Sequence, residues 1–165
     1  MNKILLLNSH QIEQKIKRMA YEIWEHNHDE KEVILLGIAP TGFLLAQELA
    51  RQLTIISSLK IEIIPMKVHK TEPHKDKDMT LPLDINNKSV LPVDDVTNSG
   101  KTLLYALRPV LKQLPSKIEI AVLVNRHHKD FPIVPGIIGH AISTTLQDHI
   151  EVTSSDGKLT GAYLS

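Results

Sequence analysis

The sequence predicts an α/β protein with a mainly parallel sheet flanked by helices. Strand-like apolar runs alternate with helix-periodic segments along most of the chain. The first internal run, Val33–Gly37, is continuously apolar, which suits a strand covered on both faces. Apolar residues alternating on either side of Asp156-Gly157 predict a closing hairpin with a type I′ turn.

Each element follows from its own pattern. After a short apolar opening, Asn8-Ser9 offers an N-cap, and Ile12, Ile16, Met19/Ala20 and Ile23/Trp24 recur at helical spacing. Val33–Gly37 is the first strand, and the turn Ile38–Gly42 leads into a helix from Phe43 to Leu53. Lys60–Pro65 and Ser89–Val93 read as the next two strands, Thr102–Leu114 as a helix and Lys117–Val124 as a fourth strand. The tail then forms the hairpin through Ile150, Val152 and Leu159–Leu164. Between the second and third strands, Lys67–Asp78 ("KVHKTEPHKDKD") is a charged loop long enough to carry a function.

Composition narrows the class. A chain of 165 residues fits one domain, and 42% apolar with 23% charged residues is ordinary for a soluble globular protein. The 19 basic residues balance the 19 acidic ones, so no global charge argues for nucleic acid or a membrane surface. The absence of cysteine excludes disulfides and thiolate metal sites. The apolar opening is too short for a signal peptide or a membrane span. The expectation is a soluble, cytoplasmic protein whose residues 1–165 form one domain.

The chemistry concentrates in Val90–Leu103, "VLPVDDVTNSGKTL". Paired acids end an apolar run, and a Thr/Asn/Ser/Gly/Lys/Thr turn opens the next helix. A Walker nucleotide loop would need glycine five places before Gly100, where Asp95 stands. A receiver domain would carry its acids after the first strand and has no use for the Ser/Gly/Lys turn. A phosphorylated sugar uses both features. Carboxylates Asp94 and Asp95 can accept from vicinal ribose hydroxyls, while the amides and hydroxyls of Thr97, Asn98, Ser99, Gly100, Lys101 and Thr102 cradle a 5′-phosphate. In an open parallel sheet such a ligand sits beyond the carboxyl ends of the strands.

"VDDVTNSGKT" resembles the 5-phosphoribosyl diphosphate (PRPP) signature of type I phosphoribosyltransferases. "VILLGIAPTGFLLAQELA" and "IEIAVLVNRHHKDFPIVPGIIGHAIS" look most like one branch, the uracil phosphoribosyltransferases that double as pyrimidine-operon RNA attenuation regulators. The resemblance implies the type I phosphoribosyltransferase (Rossmann-like) fold, with a small hood at about 125–148 plus the N-terminal segment, and a flexible loop at about 67–80. It implies PRPP, Mg²⁺ and a nucleobase as ligands, a homodimer, and nucleotide salvage with release of diphosphate. Asp94 and Asp95 would be the catalytic pair, touching Mg²⁺ directly or through ligand oxygens. Ala39, Pro40, Thr41 and Gly42 would form the diphosphate loop, and Arg126, Val134, Ile138 and His140 the base-reading hood. Members often carry a cis peptide where Ala39–Pro40 aligns, and proline makes cis easy to reach; a cis bond is expected here.

Departures from the branch bear on the substrate. It has Lys and Arg in the diphosphate loop where this chain has Ala39 and Thr41, a basic residue at Val134 and Lys at His140. Its Leu-Val-Asp-Arg-Gly-His-Arg-Glu-Leu-Pro-Ile becomes Leu123-Val-Asn-Arg-His-His-Lys-Asp-Phe-Pro-Ile133. Lys15, Lys17 and Arg18 on the first helix read as a solvated face rather than an RNA surface. His69, His74, His127 and His128 lack metal-ligand spacing and read as surface histidines. Transfer to a pyrimidine, uracil first, is the leading expectation. A non-catalytic PRPP or nucleotide sensor, with pyrimidine-operon RNA as a further partner, is the alternative.

Overall fold

The computed structural model describes residues 3–76 and 79–165. Lys77 and Asp78, within the stretch expected as a flexible loop, lie outside the described residues. In chain order the elements are β1 (Ile4–Asn8), α1 (Ser9–His26), β2 (Glu32–Ile38), α2 (Thr41–Ile56), β3 (Lys60–Met66), β4 (Ser89–Thr97), α3 (Lys101–Ala106), β5 (Lys117–Ile118), β6 (Ala121–Arg126), β7 (Ile137–Ile142), β8 (Ile150–Ser155) and β9 (Lys158–Leu164).

The main sheet runs β3-β2-β4-β6-β7, with every neighbouring pair parallel and the short β5 beside the start of β4. This order puts β4 at the centre, so the acids at its end open where the strand order changes direction. One face of the sheet is covered by α1 and α2 through Ile12, Ile16, Met19, Ile23, Leu45, Leu49 and Leu53, all buried. Each such side chain contributes about 1.5–3 kcal/mol by leaving water. The other face is covered by the shorter α3 and the flanking loops, around Ile34, Leu36, Val122, Leu103 and Ile133.

A second, three-stranded antiparallel sheet, β1-β9-β8, joins the N-terminal segment to the hairpin. The hairpin turns as its sequence demands, with Asp156 at φ 52° and Gly157 at φ 74°.

Several features differ from the sequence reading. The helix expected from Thr102 to Leu114 stops at Ala106, followed by a 3₁₀ turn at Val110–Lys112. Pro109 has no N–H to continue it, and its ring would meet the carbonyl of Tyr105 in an unbroken helix. The strand expected at Lys117–Val124 is split at Glu119-Ile120, where Glu119 N donates to Val90 O (3.1 Å) and Gly136 N to Ile120 O (3.0 Å). Strand β1 is not announced by its sequence, since Ile4 and Leu5 stay exposed and Leu7 is buried, which leaves no clear period. Residues 137–142, expected in the hood, instead complete the main sheet as β7. Gly139 and His140 interrupt the apolar run there, and Gly139 is demanded by contact: a Cβ would lie 2.6 Å from Leu123 O.

Candidate active site

Strand β4 extends through Asp94, Asp95 and Thr97 rather than ending at Val93, so the acids sit inside the sheet's carboxyl edge. Asp94 is 4% exposed and Asp95 8%. Asp95 N donates to Asp94 Oδ1 at 2.9 Å. Burial pushes the Asp94 carboxyl well above the usual carboxylate range; the Asp95 charge adds to this, and Lys70 opposes it. Behind the pair, α2 begins at van der Waals limits: a Cβ on Gly42 would lie 2.8 Å from Val93 O and 3.0 Å from Asp94 Cα. Glycine is therefore the residue that lets the diphosphate-loop candidate approach the acids.

Downstream, the chain leaves β4 at Thr97 and enters α3 at Gly100, whose φ of 87° favours glycine. Ser99 O accepts from Asp130 N (3.1 Å) and Phe131 N (3.0 Å), which anchors the turn from outside. The turn encloses a small cavity of about 40 Å³ lined by Asp94 and Val96–Leu103. The buried Thr97 Oγ1 beside it has no hydrogen-bond partner among the described residues. A buried hydroxyl left unpaired costs about 1–3 kcal/mol, so this one suits a ligand that completes it.

A larger hollow of about 350 Å³ opens over the acids. Pro40 and Thr41 line it from the start of α2, Lys70 from the charged loop, and His149 and Glu151 from the β8 region. The Ala39–Pro40 peptide is cis, as the sequence predicts, and Ala39 N donates to Met66 O at 2.8 Å. Leu44 N bonds back to Pro40 O (3.3 Å), so the amides of Thr41, Gly42 and Phe43 precede the first helical bond, and Thr41 among them lines the hollow.

The fold brings Asp94, Asp95, Thr97–Thr102, Pro40 and Thr41 together, with Gly42 directly behind. It does not bring the four hood candidates into that hollow. Arg126 ends β6 and donates to Thr144 Oγ1, Thr145 O and Asn98 Oδ1. Val134 is 86% exposed and lines a separate apolar hollow with Leu107 and Ile118. Ile138 and His140 lie on β7, where Arg18 Nη2 donates to Ile138 O (2.9 Å) and Gly139 O (2.7 Å). Burial, reinforced by Lys15, lowers the His140 pKa. His128 pairs with Asp130 at the surface (3.0 Å).

Sequence reasoning missed His149 and Glu151 and did not single out Lys70. The hairpin itself was visible, but its partner β1 was not, so nothing showed which end of the main sheet the small sheet would cover. Among the described residues, no group of three or more His, Asp or Glu side chains could hold a metal ion by itself. The buried Asp94-Asp95 pair supplies two carboxylates, so a hard divalent cation held there would need further oxygens from a bound ligand.

Comparison with known proteins places the chain in a family. The model described as "Phosphoribosyl transferase domain" matches residues 5–147, so the chain belongs to the phosphoribosyltransferases. Within them it is a type I member of the PyrR branch. It is 32% identical to the Bifunctional protein PyrR of Limosilactobacillus reuteri, over 92% of this chain and 93% of that one. It is 34% identical to the Bifunctional protein PyrR of Streptococcus sanguinis, over 87% of each. In fold it resembles the hypoxanthine phosphoribosyltransferase of Trypanosoma cruzi, with a TM-score of 0.77 at 16% identity over 95% of this chain and 94% of that one.

Proposed function

We propose that the protein transfers the 5-phosphoribosyl group of PRPP to a nucleobase, a pyrimidine with uracil first, and releases diphosphate. One observation carries this: a buried Asp94-Asp95 pair abuts a phosphate-sized turn whose Thr97 hydroxyl lacks a partner among the described residues. Ribose hydroxyls donate to the carboxylates while the amides of the turn hold the 5′-phosphate, which fixes the sugar at both ends. The anomeric carbon then faces the larger hollow, where diphosphate leaves as a nitrogen of the base attacks. Lys70 and the Thr41 amide at the start of α2, both on the rim of this hollow, would stabilise the departing charge. Asp94 and Asp95 would hold Mg²⁺, which supplies charge neutralisation to the diphosphate. On the resemblance alone, the reading extends to nucleotide salvage in the cytoplasm by a homodimer of one-domain chains.

A second reading, a non-catalytic PRPP sensor, is favoured by the uncharged Ala39 and Thr41: Lys70 is the one cation lining the hollow among the described residues. RNA binding finds less support on α1, where Arg18 is engaged by β7 carbonyls and Glu22 and Lys17 lies 3.7 Å from Glu13. Diphosphate release from PRPP and Mg²⁺, measured with uracil, hypoxanthine, guanine, xanthine and adenine in turn, separates the readings. Turnover with uracil is expected. PRPP binding with no turnover on any base supports the sensor.

A further inference from the structure

We infer that Arg126 is a positioning residue whose guanidinium locks the 5′-phosphate turn to the loop entering β8. The inference rests on the reading of the site given above and adds to it a residue that acts without touching substrate. Arg126 is the last residue of β6, paired in register with Ile142 at the end of β7. Its planar fork reaches three acceptors: Nε donates to Thr144 Oγ1 (2.7 Å), Nη2 to Thr145 O (2.8 Å) and Nη1 to Asn98 Oδ1 (3.1 Å). Asn98 lines both the cavity of the turn and the larger hollow. Thr144 and Thr145 belong to the loop leading into β8.

That loop is tied onward. Thr145 N donates to Asp148 Oδ2 at 2.7 Å. The next residue, His149, exchanges two main-chain bonds with Ser165 (2.7 and 2.9 Å) and lines the hollow. A path of hydrogen bonds from the phosphate turn through Arg126 to Asp148, completed by one main-chain link, thus reaches the His149 wall. The guanidinium itself is not among the groups lining either cavity, which separates it from a base or phosphate reader. Ordering both walls in advance lowers the entropy lost when PRPP binds.

Shape, not charge, is the operative property. Lysine keeps the positive charge but carries one compact ammonium, which cannot span acceptors on two separate segments as the fork does. Asn98 and Thr144 are 28 and 18 residues from Arg126 in sequence, so no local turn replaces the link.

The test compares wild type with Arg126→Lys, Arg126→Gln and Thr144→Val. PRPP affinity is measured by titration calorimetry with Mg²⁺, and kcat and KM with the best base. Both Arg126 variants are expected to weaken PRPP binding alike, by about tenfold. Thr144→Val, which removes one acceptor and leaves the arginine in place, should shift affinity in the same direction by a smaller factor, with kcat falling less than affinity. Restoration by lysine would show a charge role and overturn the inference. So would an unchanged PRPP affinity in Arg126→Gln or in Thr144→Val.

Amide hydrogen exchange supplies a readout independent of turnover and of PRPP. Arg126→Gln should speed exchange in residues 98–100 and 145–149 together, and Thr144→Val carries this measurement if the Arg126 variants do not fold. Unchanged exchange in both segments overturns the clamp. Wild-type protein that binds no PRPP refutes the site reading instead, with the clamp still judged by exchange.

Discussion

Asp94 is held where a carboxylate is costly: nearly out of water and beside a second acid. Because its folded-state pKa is raised, the folded protein binds more protons than the unfolded chain between the ordinary carboxylate value and the raised one. Stability from this group is therefore fully present below the unfolded pKa of 3.8 and is lost as pH rises through the elevated folded value. Asp94→Asn removes the buried charge and keeps an oxygen for the Asp95 amide. In ligand-free protein its thermal midpoint should exceed that of wild type at neutral pH, with the gap closing as pH falls toward 4. Followed by circular dichroism across that range, a midpoint below wild type at every pH would contradict the burial argument. The same variant should lose transfer activity, a stability–activity exchange expected where a strained charge serves a ligand. Thr97 and Asn125 repeat the theme: they sit opposite each other on β4 and β6, and Thr97 Oγ1 and Asn125 Oδ1 are buried without partners among the described residues.

At the level of elements, local chemistry decided what could be read in advance. Helix α1 begins where Asn8 predicts, with Asn8 Oδ1 accepting from Gln11 N (2.8 Å) and Gln11 Oε1 accepting from Asn8 N (2.9 Å). Asn8→Ala should cost about 1 kcal/mol, read as a lower denaturant midpoint at constant m-value. The same substitution with an unchanged midpoint would show that packing of Ile12, Ile16 and Met19 alone sets the helix start. The turn at 97–102 into α3, the cis Ala39–Pro40 bond and the Asp156-Gly157 hairpin were equally readable, because each depends on residues adjacent in sequence. Strands β1 and β7 were not, because their pairing is long-range: β1 meets β9 at the other end of the chain, and β7 is defined by its contact with β6. For the same reason the sequence does not announce His149 and Glu151, which line the hollow over the acids, while Val134, Ile138 and His140 do not line it.

Across the whole molecule, strand order does the positioning. With β4 central, its Asp pair opens between the α2 start on the β2 side and the β6–β7 edge on the other. The small β1-β9-β8 sheet then brings the β8 region over the same end, so one hollow is framed by segments from residues 40 to 152. The central claim is that this end of the sheet grips a pentose through its diol and its terminal phosphate at once. The most direct measurement is a calorimetric titration of PRPP with Mg²⁺ into wild type and into the Asp94→Asn/Asp95→Asn double variant. Saturable binding to wild type that falls at least tenfold in a folded double variant is the expected result. Equal affinity in the two proteins would place the sugar phosphate elsewhere and contradict the assignment of the site.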